Sequence, residues 1–238
     1  MRLAAVDNLR NDSYIVEAEN VWRTYRAGTH QEVHALCGVS LKIEQPCVFV
    51  LRGRSGSGKT TLLNCIGGLD YPTSGTVRIF NQDILKMGEN QLVHFRRKQV
   101  GFIFQSFGLN PIFSAYENVE IMLRIAGASN RECRERTLTC LEMVGLTKWR
   151  NHRPDELSGG QQQRIAIARV LANRPRLMLA DEPTGELDSL TARDILSIFQ
   201  RIVKEEHVTL LLASHDPVVD IYADQVMHLS DGQLVPGG

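Results

Sequence analysis

Gly53-Arg54-Ser55-Gly56-Ser57-Gly58-Lys59-Thr60 has the composition and spacing of a phosphate-holding loop, G-x-x-x-x-G-K-[ST]. It lies between the apolar strand-type run Cys47 to Leu51 and a helix opening over Thr61 to Ile66. Its glycines let successive backbone N–H groups turn inward, and the helix start adds partial positive charge at the same point. In such a loop Lys59 reaches the β and γ phosphates of a nucleotide and Thr60 ligates Mg²⁺. Far along the chain, Asp181-Glu182 closes the apolar run Leu177 to Ala180. Ligands of parallel sheets bind outside the carboxyl ends of the strands, so both carboxylates are placed to meet those phosphates. Asp181 is the natural Mg²⁺ partner, directly or through water, and Glu182 can act as general base on an attacking water. Gln105 follows the run Val100 to Phe104 and His215 follows Val208 to Ala213, so both emerge at the same edge. Taken alone, each reads more readily as a turn residue than as a functional one.

A second polar, glycine-bearing helix start lies at Leu157-Ser158-Gly159-Gly160-Gln161-Gln162-Gln163-Arg164. Ser158 and Gln161 form an S-x-x-Q capping box, and Ile165, Ala168 and Ala172 continue one apolar face. Gly159 and Gly160 in the first turn each cost a helix about 1 kcal/mol relative to alanine. Exposed N–H groups and close approach would compensate, which makes a second anion site. A single copy of the chain has no obvious use for two.

The elements that must position these residues alternate in type. Strand-like runs at Tyr14 to Val16, Val21 to Tyr25 and Leu36 to Ile43 precede the loop, with Cys37, Val39, Leu41 and Ile43 expected on one face. A turn at Tyr71 to Gly75 leads into a strand over Thr76 to Phe80. From Glu117 the pattern is mostly helical, with Leu138, Leu141 and Val144 at helical spacing and Gly145 as a stop. Residues 106–173 read as a helical subdomain inserted into an α/β core formed by 14–105 and 174–238, with 1–13 as an N-terminal extension. After it come the strand Leu177 to Ala180, an amphipathic helix over Leu190 to Lys204 carrying Ile195, Phe199 and Ile202, and the strand Val208 to Ala213. Asp231-Gly232 predicts a closing hairpin. The fold class is α/β, a P-loop NTPase core with an N-terminal antiparallel β layer.

Composition excludes more than it selects. The chain has 238 residues, 43% hydrophobic and 23% charged, enough for a sizeable core. Lys and Arg total 27 against 27 Asp and Glu, so no net field favours nucleic acid or anionic lipid. The five cysteines, Cys37, Cys47, Cys65, Cys133 and Cys140, include no C-x-x-C pair and read as reduced, packed thiols. Cys133 and Cys140 share a helix face without further metal ligands nearby. No apolar run approaches the roughly 18 to 20 residues of a membrane span, and residues 1–14 have no signal-type stretch.

Taken together, the phosphate loop, Gln105, Leu157 to Gln161, Asp181-Glu182 and His215 resemble, in this order, the motifs of the ATP-binding cassette family over nearly the whole chain. The resemblance implies that Gly53, Arg54, Ser55, Gly56, Ser57, Gly58, Lys59, Thr60 and Thr61 hold ATP. It implies that Thr60, Gln105 and Asp181 attend Mg²⁺, that Glu182 is the base, and that His215 contacts the γ-phosphate. Tyr25, followed by Arg26-Ala27-Gly28, resembles an adenine-stacking aromatic; Gly185-Glu186-Leu187-Asp188 resembles a loop that crosses to a partner subunit. Ser158, Gly160 and Gln161 would cap ATP held by a second subunit, in a sandwich of two chains. Ile66 to Asp70, Glu117 to Glu120 and the triple glutamine are similar to the lipoprotein-release and macrolide-export ATPase group, with the cell-division ATPase nearby. Arg54, where proline or glutamate is commoner, Thr60, where serine is, and Glu186 depart from the pattern. The implied protein is a cytoplasmic, peripheral ATPase on the inner face of the plasma membrane, likened to the energising subunit of a transporter whose permease is a separate chain. The alternative is an adaptor transmitting force to a division or wall-remodelling complex. A DNA- or ribosome-directed role fits poorly with one cassette and no basic surplus.

Overall fold

The computed structural model describes residues 14–44 and 46–235, so the extension 1–13 lies outside the described residues. In chain order the elements are β1 (Val16–Tyr25), β2 (Val33–Ile43), β3 (Val48–Arg52), α1 (Lys59–Ile66), β4 (Ser74–Ile79), β5 (Gln82–Asp83) and α2 (Glu89–Gln99). There follow β6 (Val100–Ile103), α3 (Ala115–Ile125), α4 (Asn130–Met143), α5 (Gly159–Leu171), β7 (Leu177–Asp181), α6 (Ser189–Glu206), β8 (Thr209–Ser214), β9 (Gln225–Ser230) and β10 (Gln233–Val235).

The strands form two sheets. One is antiparallel, in the order β2-β1-β4-β5; the other runs β10-β9-β3-β8-β7-β6, parallel throughout except for the β9–β10 hairpin turned at Asp231-Gly232. This is the mixed α/β architecture expected from the sequence. Continuous apolar runs such as Leu177 to Ala180 suit strands covered on both sides, and strand pleating sorts their side chains between two cores. Phe49, Leu51, Leu177, Leu179, Leu211 and Ala213 point to a cluster shared with α1 and the antiparallel sheet. Val48, Val50, Met178, Ala180, Leu210 and Leu212 point to the other cluster, built with α3, α4, α5 and α6. Val119, Leu141 and Ile165 lie in that second cluster, so the helical segment shares its core with the sheet.

Phe49 is wholly buried on β3, the strand that leads directly into the phosphate loop. Phe49→Ala should cost about 3–5 kcal/mol, read as a lowered urea midpoint at unchanged slope.

Two local expectations need correction. Val39, Leu41 and Ile43 do share a buried face, but Cys37 does not join them: it is half-exposed and Leu36 is fully buried instead. The β1–β2 register shifts between Val21 and Trp22, opposite this point, and the shift reverses which residue faces the core. On α4 the buried face is Cys133, Arg136, Thr137, Cys140 and Leu141, with Leu138 at its edge. Burial pushes the thiols of Cys47 and Cys140 up to about 11 and that of Cys65 to about 12, so they remain protonated packing groups. Among the described residues no helix is long and apolar enough to cross a membrane.

Candidate active site

Four adjacent parallel strands end at one edge, and each delivers a polar group there. The phosphate loop follows β3, His215 follows β8, Asp181 ends β7 with Glu182 next, and Gln105 lies two residues after β6. Ser55, Gly56, Gly58, Lys59, Thr60, Thr61, Gln105, Asp181, Glu182 and His215 line one cleft of about 390 Å³, closed on its far side by Val33, His34 and Ala35 of β2. Gly53, Arg54, Ser55 and Ser57 line a neighbouring cleft of about 700 Å³ on the other flank of the loop, with His215 and His228. Gly58 explains why the loop needs glycine next to its lysine. Its φ is +105°, and a Cβ there would stand 2.4 Å from the Ala35 carbonyl oxygen.

Lys59 is 6% exposed, and its ammonium donates to the carbonyls of Gly53 at 2.8 Å and Arg54 at 3.1 Å. It also pairs with Glu182 Oε1 at 3.3 Å. The other Glu182 oxygen accepts from His215 Nδ1 at 3.0 Å and from the His215 backbone N–H at 3.3 Å, which puts the imidazole proton on Nδ1. Glu182 is thus held between a lysine and a histidine. Its backbone is strained, with φ of +47° in a non-glycine residue, and is pinned by its N–H to the Ala213 carbonyl at 2.9 Å.

Asp181 faces the hydroxyl of Thr60, and burial, the larger influence, raises its pKa despite that hydrogen bond. Among the described residues its Oδ1 is buried without a hydrogen-bond partner. An orphaned carboxylate oxygen beside a threonine hydroxyl is the donor set of a hard divalent cation, so the residues fit Mg²⁺.

Other expected site residues lie elsewhere. Tyr25 does not line the cleft: its hydroxyl donates to Asp70 Oδ2 at 2.6 Å, and the Arg23 guanidinium sits 4.4 Å from the ring centroid. A base could stack only on its opposite face. Ser158 caps α5 as its spacing predicts, accepting from the Gln161 N–H at 3.3 Å while Gln161 Oε1 accepts from the Ser158 N–H at 2.9 Å. The Gln161 side chain is therefore committed to the cap. Asp188 caps α6 through the N–H groups of Leu190 and Thr191 and the Thr191 hydroxyl, and the Thr191 bonds hold its carboxylate below the ordinary value. Neither Ser158, Gly160 nor Asp188 lines the Lys59 cleft.

Comparison with known proteins decides the family. Residues 36–185 match the family model described as ABC transporter. The chain belongs to the ABC transporter family. The ABC transporter ATP-binding protein MJ0796 of Methanocaldococcus jannaschii is 42% identical, with 92% of this chain and 95% of that one aligned. Its dimeric structure superposes with a TM-score of 0.85 over 93% of this chain and 97% of that one at 41% identity, and a post-hydrolysis dimer bound to ADP and Pi superposes at 0.84. The lipoprotein-releasing system ATP-binding protein LolD of Chromohalobacter salexigens is 41% identical over 94% of each chain. The macrolide export ATP-binding/permease protein MacB of Syntrophobacter fumaroxidans is 45% identical over 93% of this chain, which spans only 31% of that protein.

This ABC ATPase also uses residues that spacing alone does not announce. Asn118 is buried on α3, and its amide donates to the carbonyls of Asn110, Phe113 and Ser114 while its oxygen accepts from the Asn110 N–H. It sets the course of the segment after Gln105. In the sequence it shows only as part of the Glu117 to Glu120 stretch, with nothing to mark its amide as the group that ties this segment down. Gly160 is buried as well, and a Cβ there would meet Thr191 Cγ2 at 2.3 Å. The close approach expected of these glycines is seen at Gly160, which lets α5 approach α6 within the ABC cassette itself.

Proposed function

We propose that the chain is the ATP-hydrolysing subunit of a transporter, closing against a second copy of itself over two ATP molecules and so driving a separate transmembrane permease. The observation that carries this is one cleft holding Lys59, Thr60, Asp181, Glu182 and His215 while a second phosphate-suited helix start, at Ser158 and Gly160, opens outside it.

In this reading Lys59 exchanges its carbonyl partners for β- and γ-phosphate oxygens. Glu182 takes a proton from water as the water oxygen bonds to the γ-phosphorus and the bond from that phosphorus to the bridging oxygen breaks, leaving its electron pair on ADP. His215 keeps the Glu182 carboxylate oriented through its Nδ1–H and, when its second ring nitrogen is also protonated, donates from Nε2 to a γ-phosphate oxygen. Thr60, Asp181 and Gln105 would attend Mg²⁺, which when bound neutralises phosphate charge. Positioning and electrostatics supply most of the rate in such transfers.

A groove of about 300 Å³ between α2, β6 and α5 supports a permease partner. Leu69 and Phe104 are 47% and 42% exposed, Phe102 stacks on Phe104 with ring centroids 5.9 Å apart, and Arg96 and Arg97 stand at the rim. An apolar floor that includes Phe104, the residue before Gln105, suits a short helix of a membrane subunit, which would hold the chain at the inner face of the membrane. Copurification with tagged chain tests this: a multi-span permease is expected, and a wall-remodelling assembly without one would sink the transport reading. Lys59→Ala should weaken MgATP binding at least about tenfold by titration calorimetry, since the buried ammonium has no substitute in the cleft. Affinity equal to wild type would remove Lys59 from the phosphate site.

A further inference from the structure

Arg169 lies on the last turn of α5, the helix that Ser158 opens, and borders the groove beside Phe102 and Phe104. Its side chain runs to the loop that follows Gln105. Nη2 donates to the Phe107 carbonyl at 3.0 Å and Nη1 to the Gly108 carbonyl. Both residues have left-handed backbone, with φ of +45° at Phe107 and +61° at Gly108, and Phe107 carries the strain of that conformation as a non-glycine residue. Something must hold it there. Burial also lowers the pKa of the Arg169 guanidinium, consistent with a charge whose solvation has been replaced by these two carbonyls.

The same loop touches the other end of the same helix. A Cβ on Gly159 would lie 3.6 Å from Phe107 Cζ, so the Phe107 ring rests against the first turn of α5 while its carbonyl is gripped from the last. Helical side chains lean towards the helix N-terminus, which lets Arg169 span the distance. A planar guanidinium presents donors on two nitrogens in a fixed fork and bridges two consecutive carbonyls; an ammonium directs all its donors from one atom and lacks that fork.

We propose that Arg169 is a positioning residue which, with Phe107, fastens the Gln105 loop to α5 so that the two move as one body. Resting on the functional reading above, this means that Gln105, facing the chain's own nucleotide, and Ser158, facing the partner's, change position together. A groove occupant pressing on Phe104 would then move both phosphate contacts in one step.

The test compares Arg169→Gln, Arg169→Lys, Gln105→Ala and, as a control away from the site, Arg131→Gln, all in the full chain. Arg169→Gln should lower kcat about tenfold to a hundredfold with the KM for ATP within about twofold, and should speed hydrogen exchange across residues 105–109. Arg169→Lys should recover part of both effects, and Arg131→Gln should change neither. Unchanged exchange in Arg169→Gln overturns the tie. Faster exchange at normal kcat overturns the coupling. If Gln105→Ala is also fully active, the role given to Gln105 has failed; if it is slow while Arg169→Gln is normal, only the Arg169 proposal has.

Discussion

Glu182→Gln should leave a chain that binds ATP and scarcely turns it over. Glutamine preserves the shape of the side chain and can still accept from His215 Nδ1, but it cannot take the proton of an attacking water. Loss of a general base typically costs about 10²- to 10⁴-fold in rate, so phosphate release should fall by that order in a single-turnover assay. Binding should hold or improve. Lys59 loses the partner it now meets at 3.3 Å, which frees the ammonium for phosphate, and a negative charge facing the γ-phosphate disappears. The variant should therefore accumulate as an ATP-dependent dimer on gel filtration in the presence of Mg²⁺. Normal hydrolysis would remove the base assignment; slow hydrolysis without ATP-dependent association would separate the chemistry from the sandwich. Neither glutamate nor glutamine has glycine's freedom at positive φ, so this substitution changes charge without releasing the strain.

The edge of the sheet that carries this chemistry was legible because parallel strands announce themselves. Val48 to Leu51, Leu177 to Ala180 and Leu210 to Ala213 are short, unbroken apolar runs, and the polar residues after each must emerge at the carboxyl end. Capping chemistry was equally local: Ser158 and Gln161 satisfy each other as their spacing requires. Helix α2 was not legible, because only Leu92 and Phe95 of its eleven residues are buried and its mean character is polar. Nor was the phase change at Cys37, which depends on how β2 pairs with β1 rather than on β2's own pattern. Contacts between distant segments left the least trace. Nothing about Ala35 signals that its carbonyl presses on Gly58, nothing about Arg169 that it grips Phe107, and nothing about Thr191 that it fills the space beside Gly160.

That last contact makes Gly160→Ala ambiguous alone and decisive in combination. The added methyl would stand 2.3 Å from Thr191 Cγ2, and relieving it by displacing α5 or α6 should cost about 1–3 kcal/mol, seen as a lower melting temperature. A loss of ATPase activity in this variant could then reflect packing or a lost phosphate contact. Thr191→Ser separates the two. It deletes the methyl while keeping the hydroxyl that donates to Asp188 Oδ2 at 2.6 Å, so the α6 cap survives. Gly160→Ala with Thr191→Ser should regain most of the thermal stability, since the clash is with that methyl alone. If Gly160 also approaches a nucleotide held by a partner, the double variant should still hydrolyse ATP at least about tenfold more slowly, with nucleotide affinity of the monomer intact, because an oriented contact is lost only in the assembled site. Recovery of both stability and turnover would make Gly160 a spacer between two helices, and the case for a second subunit at α5 would then rest on Ser158 alone.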